Sequence, residues 1–162
     1  MSIEDIVMLA AVGVYRFLPA YLANASALAF GGGRALDGNR LFLDGKPLLG
    51  SHKTLRGFAA GIAAGTFVGL VQGDAPVGLA MGFGAVLGDA VGAFLKRRLS
   101  IPPGEPFPGL DQFDFLIGAY AVSFPILALP PASVLLVFIC TPAIHVVSNY
   151  VSCALGIKKV PW

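Results

Sequence analysis

Two aspartates stand three residues apart where an apolar stretch begins. Asp111 and Asp114 flank Gln112 and Phe113, and residues i and i+3 of a helix lie on one face. Two carboxylates on one face can bind a hard divalent cation such as Mg²⁺. The alternative is structural, because one carboxylate in a first helical turn caps free N–H groups and complements the helix dipole. A single carboxylate would serve that purpose, so the pair favours a metal site.

A third carboxylate, Asp89, lies inside an apolar stretch, about two turns before Lys96. On a helix this places Asp89 roughly 10 Å below that end and on the same face as Lys96. Ionisable groups inside an apolar span are costly and mark a site, a pathway or an ion pair. We interpret Asp89 as the floor of a polar cavity, with an Asp89–Arg16 ion pair as the alternative. His145, also within an apolar stretch, is interpreted as a packed histidine.

Basic residues suited to binding phosphate stand at two helix ends. Lys53 and Arg56 lie where an apolar stretch begins, and free N–H groups at a helix start attract anions. The triplet of residues 96–98 closes the stretch that contains Asp89; its alternative role is a topology anchor or a contact with anionic lipid headgroups. Carboxylates for a hard cation beside converging basic groups suit phosphoryl or nucleotidyl transfer. No Ser or Cys has a convincing base beside it, which argues against a covalent mechanism.

The elements that must position these groups are membrane-spanning helices. The chain has 162 residues, of which 56% are apolar and 12% charged, and its mean hydropathy is +0.79. Soluble domains average about 25% charged residues, so the composition excludes an ordinary soluble enzyme and a disordered chain. The net charge of +2 gives no indication of a nucleic-acid partner. At this length we predict a single domain over residues 1–162.

Five apolar stretches approach the 20 or so residues that a helix needs to cross a bilayer. The predicted fold is therefore all-α, a polytopic membrane helix bundle with five transmembrane helices. Pro125 and Pro142 are expected to kink the fourth and fifth helices. The predicted spans are Ile6–Phe30, Gly57–Gly73, Ala75–Leu95, Phe113–Leu129 and Ala132–Gly156.

The distribution of basic residues predicts the orientation. All of them except Arg16 lie in segments 31–56 and 96–112 or in the tail, at Lys158 and Lys159. Five spans place these three segments on one face of the membrane, and the excess of Lys and Arg marks that face as cytoplasmic. We therefore expect an N-terminus outside, two long cytoplasmic loops, and a site that faces the cytoplasm at the cell membrane.

Glycines recur at every fourth position in two of the spans. Small residues at this spacing let helix backbones approach closely in a membrane. We predict tight packing of the second span against the third, with a homodimer face as the alternative, so a homo-oligomer stays open. The two ridges are Gly57, Gly61, Gly65, Gly69 and Gly73 in the second span, and Gly84, Gly88 and Gly92 in the third.

Several motifs, taken together, resemble one known family. They are Lys53-Thr54-Leu55-Arg56-Gly57, the Gly88-Asp89 pair before the basic triplet, and the run from Pro106 to Asp114. Residues 19–25 and 31–38 also resemble this family. Together the motifs extend over nearly the whole chain and occur in the order expected for the family. The pattern resembles the archaeal CDP-archaeol synthases. One departure is local, since Ser51-His52 stands where the family often has Asp-Gly.

The resemblance implies an integral membrane cytidylyltransferase of phospholipid biosynthesis, related to CDP-diacylglycerol synthases. Such an enzyme transfers CMP from CTP to an unsaturated archaeal diether glycerol phosphate and releases pyrophosphate and CDP-archaeol. The implied cofactor is Mg²⁺, and the implied partners are CTP and a lipid phosphate in the bilayer. Implied catalytic residues are Asp89, Asp111, Asp114 and Lys53, the three aspartates binding the metal; implied substrate contacts are Lys53, Arg56, Lys96, Arg97, Arg98, Asn24, Asp37 and Gln112.

Two alternative functions are a small multi-pass transporter and a CDP-alcohol phosphotransferase. A transporter would place Arg16, Asp89 and His145 along a path, but the sequence shows no inverted repeat to support it. A CDP-alcohol phosphotransferase would need a longer motif than Asp37-Gly38, which is followed here by Asn39 and Arg40.

Overall fold

The computed structural model describes residues 2–156, which form five α-helices joined by loops. Within these residues, β structure is limited to two isolated bridges, Ala35–Thr54 and Leu41–Pro47. The all-α fold is therefore confirmed, while Lys158 and Lys159 lie outside the described residues. The helices are α1 (Ile3–Ala29), α2 (Leu55–Val71), α3 (Ala75–Arg98), α4 (Leu110–Ser123) and α5 (Pro131–Ala154).

The five helices differ in whether they are long enough to cross a membrane. Helices α1, α3 and α5, with 27, 24 and 24 residues, are long and apolar enough to do so, and α2 is a shorter apolar helix. Helix α4 has 14 residues, which correspond to about 21 Å, against a hydrocarbon core of about 30 Å. The number and order of the predicted helices are right, but the fourth is shorter than expected.

Helix α4 ends at Ser123, six residues before the predicted boundary at Leu129. Pro125 has no N–H group to donate to a carbonyl one turn earlier, so the helical ladder stops there. The Ser123 carbonyl instead accepts the N–H groups of Ile126 and Leu127, at 2.9 and 2.8 Å. Pro125 thus follows the end of α4 rather than kinking it, which corrects the prediction. Pro142 does lie inside α5.

Side-chain caps fix the starts of α2 and α3. The Thr54 hydroxyl accepts the N–H groups of Gly57 and Gly32, both at 3.1 Å, and so joins the start of α2 to the chain that leaves α1. Asp74 accepts the N–H of Val77 at 3.4 Å. Gly73, with φ +77°, allows the tight turn between α2 and α3 because a left-handed backbone is costly for residues with a side chain.

The glycine ridge of α2 packs where the sequence predicts. Gly65 lies against Gly82 of α3, and Gly69 lies against Gly78, so close that a methyl group at any of these positions would meet backbone atoms. The N-terminal part of the ridge continues onto α1, where Gly57 meets the carbonyl of Ala27. The predicted tight packing of α2 on α3 is therefore confirmed.

The glycine ridge of α3 faces α4 instead of α2. Gly84 lies against the carbonyl of Gly118, Gly88 lies against the carbonyl of Asp114, and Gly92 lies against the Asp114 side chain. The prediction that both ridges serve the α2–α3 contact is wrong for this second ridge. Helix α3 packs against α2 through one set of glycines and against α4 through another.

The chain divides into two compact units. Among the described residues, one unit contains residues 2–17 and 128–156. In it, Gly13 of α1 lies against the Ser133 carbonyl and the Val137 side chain of α5. The other, Leu18–Leu127, contains the rest of α1, helices α2 to α4 and both long loops. Every residue predicted to take part in the chemistry belongs to this second unit.

Candidate active site

Lys53 and Asp89 form an ion pair at the start of α2. The Lys53 Nζ lies 2.5 Å from the Asp89 Oδ2, and the two side chains are 27% and 24% exposed. Lys53 immediately precedes the Thr54 cap, so the cap that begins α2 also fixes the position of this lysine. The structure thus joins a residue of the first long loop to the carboxylate within α3, and both side chains are partly exposed.

Lys96 and Asp111 form a second ion pair between the end of α3 and the start of α4. The Lys96 Nζ donates to both Asp111 oxygens, at 2.8 and 3.0 Å. Asp111 Oδ2 also accepts the N–H of Phe107 at 2.7 Å. Asp111 therefore holds the loop that precedes α4. It lies in the first turn of α4, where its charge complements the helix dipole, but the start of this helix has no side-chain capping hydrogen bond.

Asp114 is the most buried of the three carboxylates, with 8% of its surface exposed. Its Oδ1 accepts the N–H of Phe115 at 2.6 Å, and its side chain packs on Gly92 of α3. Within residues 2–156, no Lys or Arg lies within ion-pair distance of it. Asp89, Asp111 and Lys53 are close enough to act on its carboxyl electrostatically. The three predicted aspartates therefore share one region of the unit.

A hard divalent cation needs several oxygen ligands close together. In the described part of the chain, no three acidic, His or Cys side chains converge as a metal-binding group, and two of the aspartates are engaged by lysines. The chemistry of Asp114 does fit a cation, because a buried carboxylate without a cationic partner carries a large desolvation cost and Mg²⁺ prefers carboxylate oxygens. The residues fit a cation at Asp114 with Asp89 and Asp111 nearby, and they do not form a preassembled three-carboxylate cage.

Arg56 is engaged by the end of α1. Its Nε donates to the Phe30 carbonyl at 2.7 Å, and its Nη2 donates to the Gly31 carbonyl. These carbonyls belong to the two residues that directly follow the end of α1 at Ala29, and basic side chains commonly donate to carbonyls near a helix C-terminus. In this arrangement Arg56 links α1 to α2.

Arg98 fastens the first long loop to α3. Its guanidinium lies 4.8 and 4.6 Å from the ring centroids of Phe42 and Phe94, and these two rings pack edge to face with their centroids 5.2 Å apart. Its Nε lies 3.0 Å from Asp44 Oδ2, and its Nη2 donates to the Pro47 carbonyl at 2.6 Å. We call the contact of Phe42, Asp44 and Pro47 with Arg98 and Phe94 the loop clamp.

Arg97 is buried and only partly satisfied. It is 4% exposed, and its Nη2 donates to the Pro102 carbonyl at 2.9 Å. Its Nε and Nη1 have no hydrogen-bond partner in the described structure. Buried donors without acceptors cost free energy, so an anion beside Arg97 would be stabilising.

Asp37 organises the first long loop. Its carboxylate accepts the N–H groups of Leu49, Asn39 and Gly50, at 2.8, 2.9 and 3.3 Å. Burial raises the pKa of Asp37, but the backbone N–H groups that it accepts lower it further, so the pKa lies below its ordinary value. The other two residues implied only by the resemblance are half-buried, Asn24 within α1 and Gln112 in the first turn of α4.

Sequence reasoning missed the loop clamp and the role of Lys46. Lys46 Nζ donates to the Arg98 carbonyl at 2.9 Å and to the Ser100 hydroxyl at 2.8 Å. The spacing of Phe94 and Arg98, four residues apart on one helix, is a signal for an aromatic–cation contact. The partners from the loop gave no such signal, because about fifty residues separate them from α3 along the chain.

Comparison with known proteins gives consistent matches over most of the chain. Residues 4–76 and 74–162 match the model of the CarS-like family, CDP-archaeol synthase. The CDP-archaeol synthase of Thermococcus kodakarensis is 45% identical, over 90% of this chain and 92% of its own length. That of Methanopyrus kandleri is 43% identical, over 93% and 92%. A solved intramembrane enzyme for archaeal membrane lipids biosynthesis superposes with a TM-score of 0.74 at 39% identity, over 85% of this chain and 92% of its own.

Proposed function

This chain belongs to the CDP-archaeol synthase family, and we propose that it transfers CMP from CTP to an unsaturated archaeal diether glycerol phosphate. The products are CDP-archaeol and pyrophosphate. The observation that carries the proposal, beside family membership, is one cluster of carboxylates and basic groups between α3, α4 and the long loops. The cluster contains Asp89, Asp111, Asp114, Lys53, Lys96 and Arg97.

The proposed reaction is an in-line displacement at the α-phosphorus of CTP. An oxygen of the lipid phosphate forms the new P–O bond, and the bond to the β-phosphate oxygen breaks as pyrophosphate leaves. A phosphate dianion is already nucleophilic, so no general base is needed. The protein acts by orienting the two anions and balancing their charge.

The present partner of each basic residue indicates how readily that residue could bind a phosphate. Arg97 is the strongest candidate for a phosphate, because two of its buried nitrogens lack acceptors. Lys53 and Lys96 would each release a carboxylate when they bind phosphate. Arg56 and Arg98 support the same anions from a greater distance, since both are held by protein carbonyls. Asn24 and Gln112 are proposed nucleotide contacts, and Asp37 shapes the loop beside them.

Mg²⁺ is the proposed cofactor, with Asp114, Asp89 and Asp111 as its ligands. When bound, it would neutralise phosphate charge and stabilise the leaving pyrophosphate. The support is the buried carboxylate of Asp114, which lacks a cationic partner among the described residues. The lysines that neutralise Asp89 and Asp111 would then be free to turn to the phosphates.

The protein is a membrane protein, with three helices of spanning length and an intramembrane enzyme as its structural relative. We propose the cell membrane as its location, five membrane-crossing segments, an N-terminus outside and the site on the cytoplasmic side. Residues 1–162 would act as one domain. The lipid tails would stay in the bilayer while the headgroup meets CTP from water.

A turnover assay tests the function. Purified protein in mixed micelles receives α-³²P-labelled CTP, Mg²⁺ and the diether glycerol phosphate. We expect the label in the lipid phase, one pyrophosphate per labelled lipid, and loss of both with EDTA. Turnover that resists chelation would contradict the metal. In sealed vesicles that contain the protein, movement of unchanged CTP across the membrane would favour a transporter. In micelles supplied with a CDP-lipid and an alcohol, release of CMP would favour a CDP-alcohol phosphotransferase.

A further inference from the structure

Gly92 of α3 lies directly beneath the side chain of Asp114. A methyl group at position 92 would overlap Oδ2 of Asp114 and would lie 2.9 Å from its Cβ and Cγ. The three atoms nearest to that methyl group all belong to this one side chain. The missing side chain at position 92 therefore creates the space in which the Asp114 carboxylate lies.

The other ridge glycines of α3 have different neighbours. A methyl group at Gly84 would strike the carbonyl of Gly118, and one at Gly88 would strike the carbonyl of Asp114. Those conflicts involve backbone, so relieving them would force α3 and α4 apart. The conflict at Gly92 involves only side-chain atoms of Asp114: rotation of the carboxylate relieves the overlap with Oδ2, and the 2.9 Å approach to Cβ requires a small local shift of α3 against α4.

We propose that Gly92 is a positioning residue for the carboxylate of Asp114. Gly92 lies three residues after Asp89 on α3, so the space that it leaves is less than one turn from the second carboxylate. An alanine here would turn the Asp114 carboxylate away from the position in which it can share a cation with Asp89. The inference rests on the proposed function in so far as Asp114 is taken to bind the metal.

The test measures cation binding apart from catalysis. Mn²⁺ binding to the purified, full-length protein in detergent is followed by electron paramagnetic resonance for wild type, Gly92→Ala, Asp114→Asn and Gly82→Ala. Gly82→Ala is the matched control: it makes the same change on the same helix, and its methyl group would lie 3.1 Å from the Cα of Gly65 on α2. We expect at least tenfold weaker binding for Gly92→Ala and Asp114→Asn, and wild-type binding for Gly82→Ala.

Kinetic measurements distinguish a role of Gly92 in positioning the Asp114 carboxylate from a role in helix packing alone. For Gly92→Ala we expect kcat to fall at least tenfold and the Mg²⁺ concentration for half-maximal rate to rise, with the KM for the lipid unchanged. Wild-type Mn²⁺ affinity in Gly92→Ala would overturn the proposal, as would equal losses in Gly82→Ala. A Gly92→Ala protein that fails to fold would also overturn it, because only the Asp114 carboxylate and a small local shift of the helices are expected to yield. If wild type makes no pyrophosphate yet shows the Mn²⁺ pattern, the proposed function fails and the positioning role stands.

Discussion

At the scale of single residues, each carboxylate of the site is held by a different kind of neighbour. Asp89 is paired with a lysine of the first loop, Asp111 is paired with Lys96 and a backbone N–H, and Asp114 rests on a glycine. Binding of a cation or a phosphate must therefore exchange partners within the cluster. When one charged partner replaces another, each ionised group keeps an opposite charge beside it. This limits the desolvation cost of holding ionised groups inside a membrane protein.

Replacement of Asp89 by asparagine tests this exchange. Asp89→Asn removes the negative charge but keeps the shape, so Lys53 loses its partner and the proposed cation loses a ligand. We expect kcat/KM to fall at least 100-fold, which corresponds to about 2.7 kcal/mol, measured as pyrophosphate release. Asp74→Asn is the matched control, because asparagine caps a helix as well as aspartate does. Activity of Asp89→Asn within threefold of the control would remove Asp89 from the site.

The depressed pKa of Asp37 predicts how the first loop responds to acid. A carboxylate whose folded pKa is lowered stabilises the fold above its unfolded pKa of about 3.9. That stability is lost as pH falls through the lower folded pKa. We expect hydrogen-exchange protection of the Leu49 and Gly50 amides, corrected for intrinsic rates, to be constant at neutral pH and to fall below about pH 4.

The matched variant for that measurement is Asp37→Asn. The Asn side chain has a single acceptor oxygen, so it cannot replace both carboxylate oxygens. For Asp37→Asn we expect low hydrogen-exchange protection of the Leu49 and Gly50 amides already at neutral pH, with no further loss in acid. A wild-type loop that stays protected well below its folded pKa would show that other contacts hold it.

Residue types and spacing led to a prediction of which groups do the chemistry, but they did not predict the partners of those groups. Asp89, Asp111 and Asp114 were identified from the sequence, and the structure brings them into one region. Lys53 and Asp89 are separated by 36 residues, and no local rule relates positions so far apart. The burial of Asp114 depends on the packing of α4 on α3, which sequence spacing leaves open.

At the scale of elements, the loop clamp determines where the first long loop sits on α3. A guanidinium that contacts two aromatic rings gains about 0.5–1 kcal/mol from each ring at exposed sites. Arg98→Lys keeps the charge but loses the planar group that stacks and donates. We expect the loop to open about five- to thirtyfold more often, measured as faster trypsin cleavage after Arg40, because Pro47 blocks trypsin at Lys46.

The control for the loop clamp is Arg34→Lys, which makes the same change at an exposed residue of the same loop. Its rate of cleavage after Arg40 should match wild type. Equal rates in Arg98→Lys and wild type would mean that the loop is held by its internal contacts, among them those of Asp37.

Hydropathy predicted the five helices because burial in lipid requires long apolar helical runs. The end of α4 was missed, since the apolar residues continue past Pro125 although the helix cannot. Four-residue glycine spacing predicted close helix contacts but not which helix each ridge faces. Helix α3 carries two such faces, and only the folded arrangement assigns one to α2 and the other to α4.

At the scale of the whole molecule, the proposed orientation is testable by labelling. Cys140 and Cys153 are first replaced by alanine, and Ser2→Cys and Ser100→Cys are introduced one at a time. A membrane-impermeant maleimide applied to intact cells should label position 2 and not position 100. Permeabilised cells should label both. The reverse pattern in intact cells would place the site on the outer side.

Contacts between glycines on α2, α3 and α4 also bear on how this protein diverges. Where two helix backbones are in direct contact, there is no space for a larger side chain. Larger residues at these positions therefore cannot raise the thermal stability of the protein. The outward Leu, Val and Phe side chains of the helices, such as Leu79, Phe67 and Val91, have no such restriction. Relatives adapted to thicker bilayers or higher temperatures should therefore differ mainly at these outward-facing residues and should conserve the glycines.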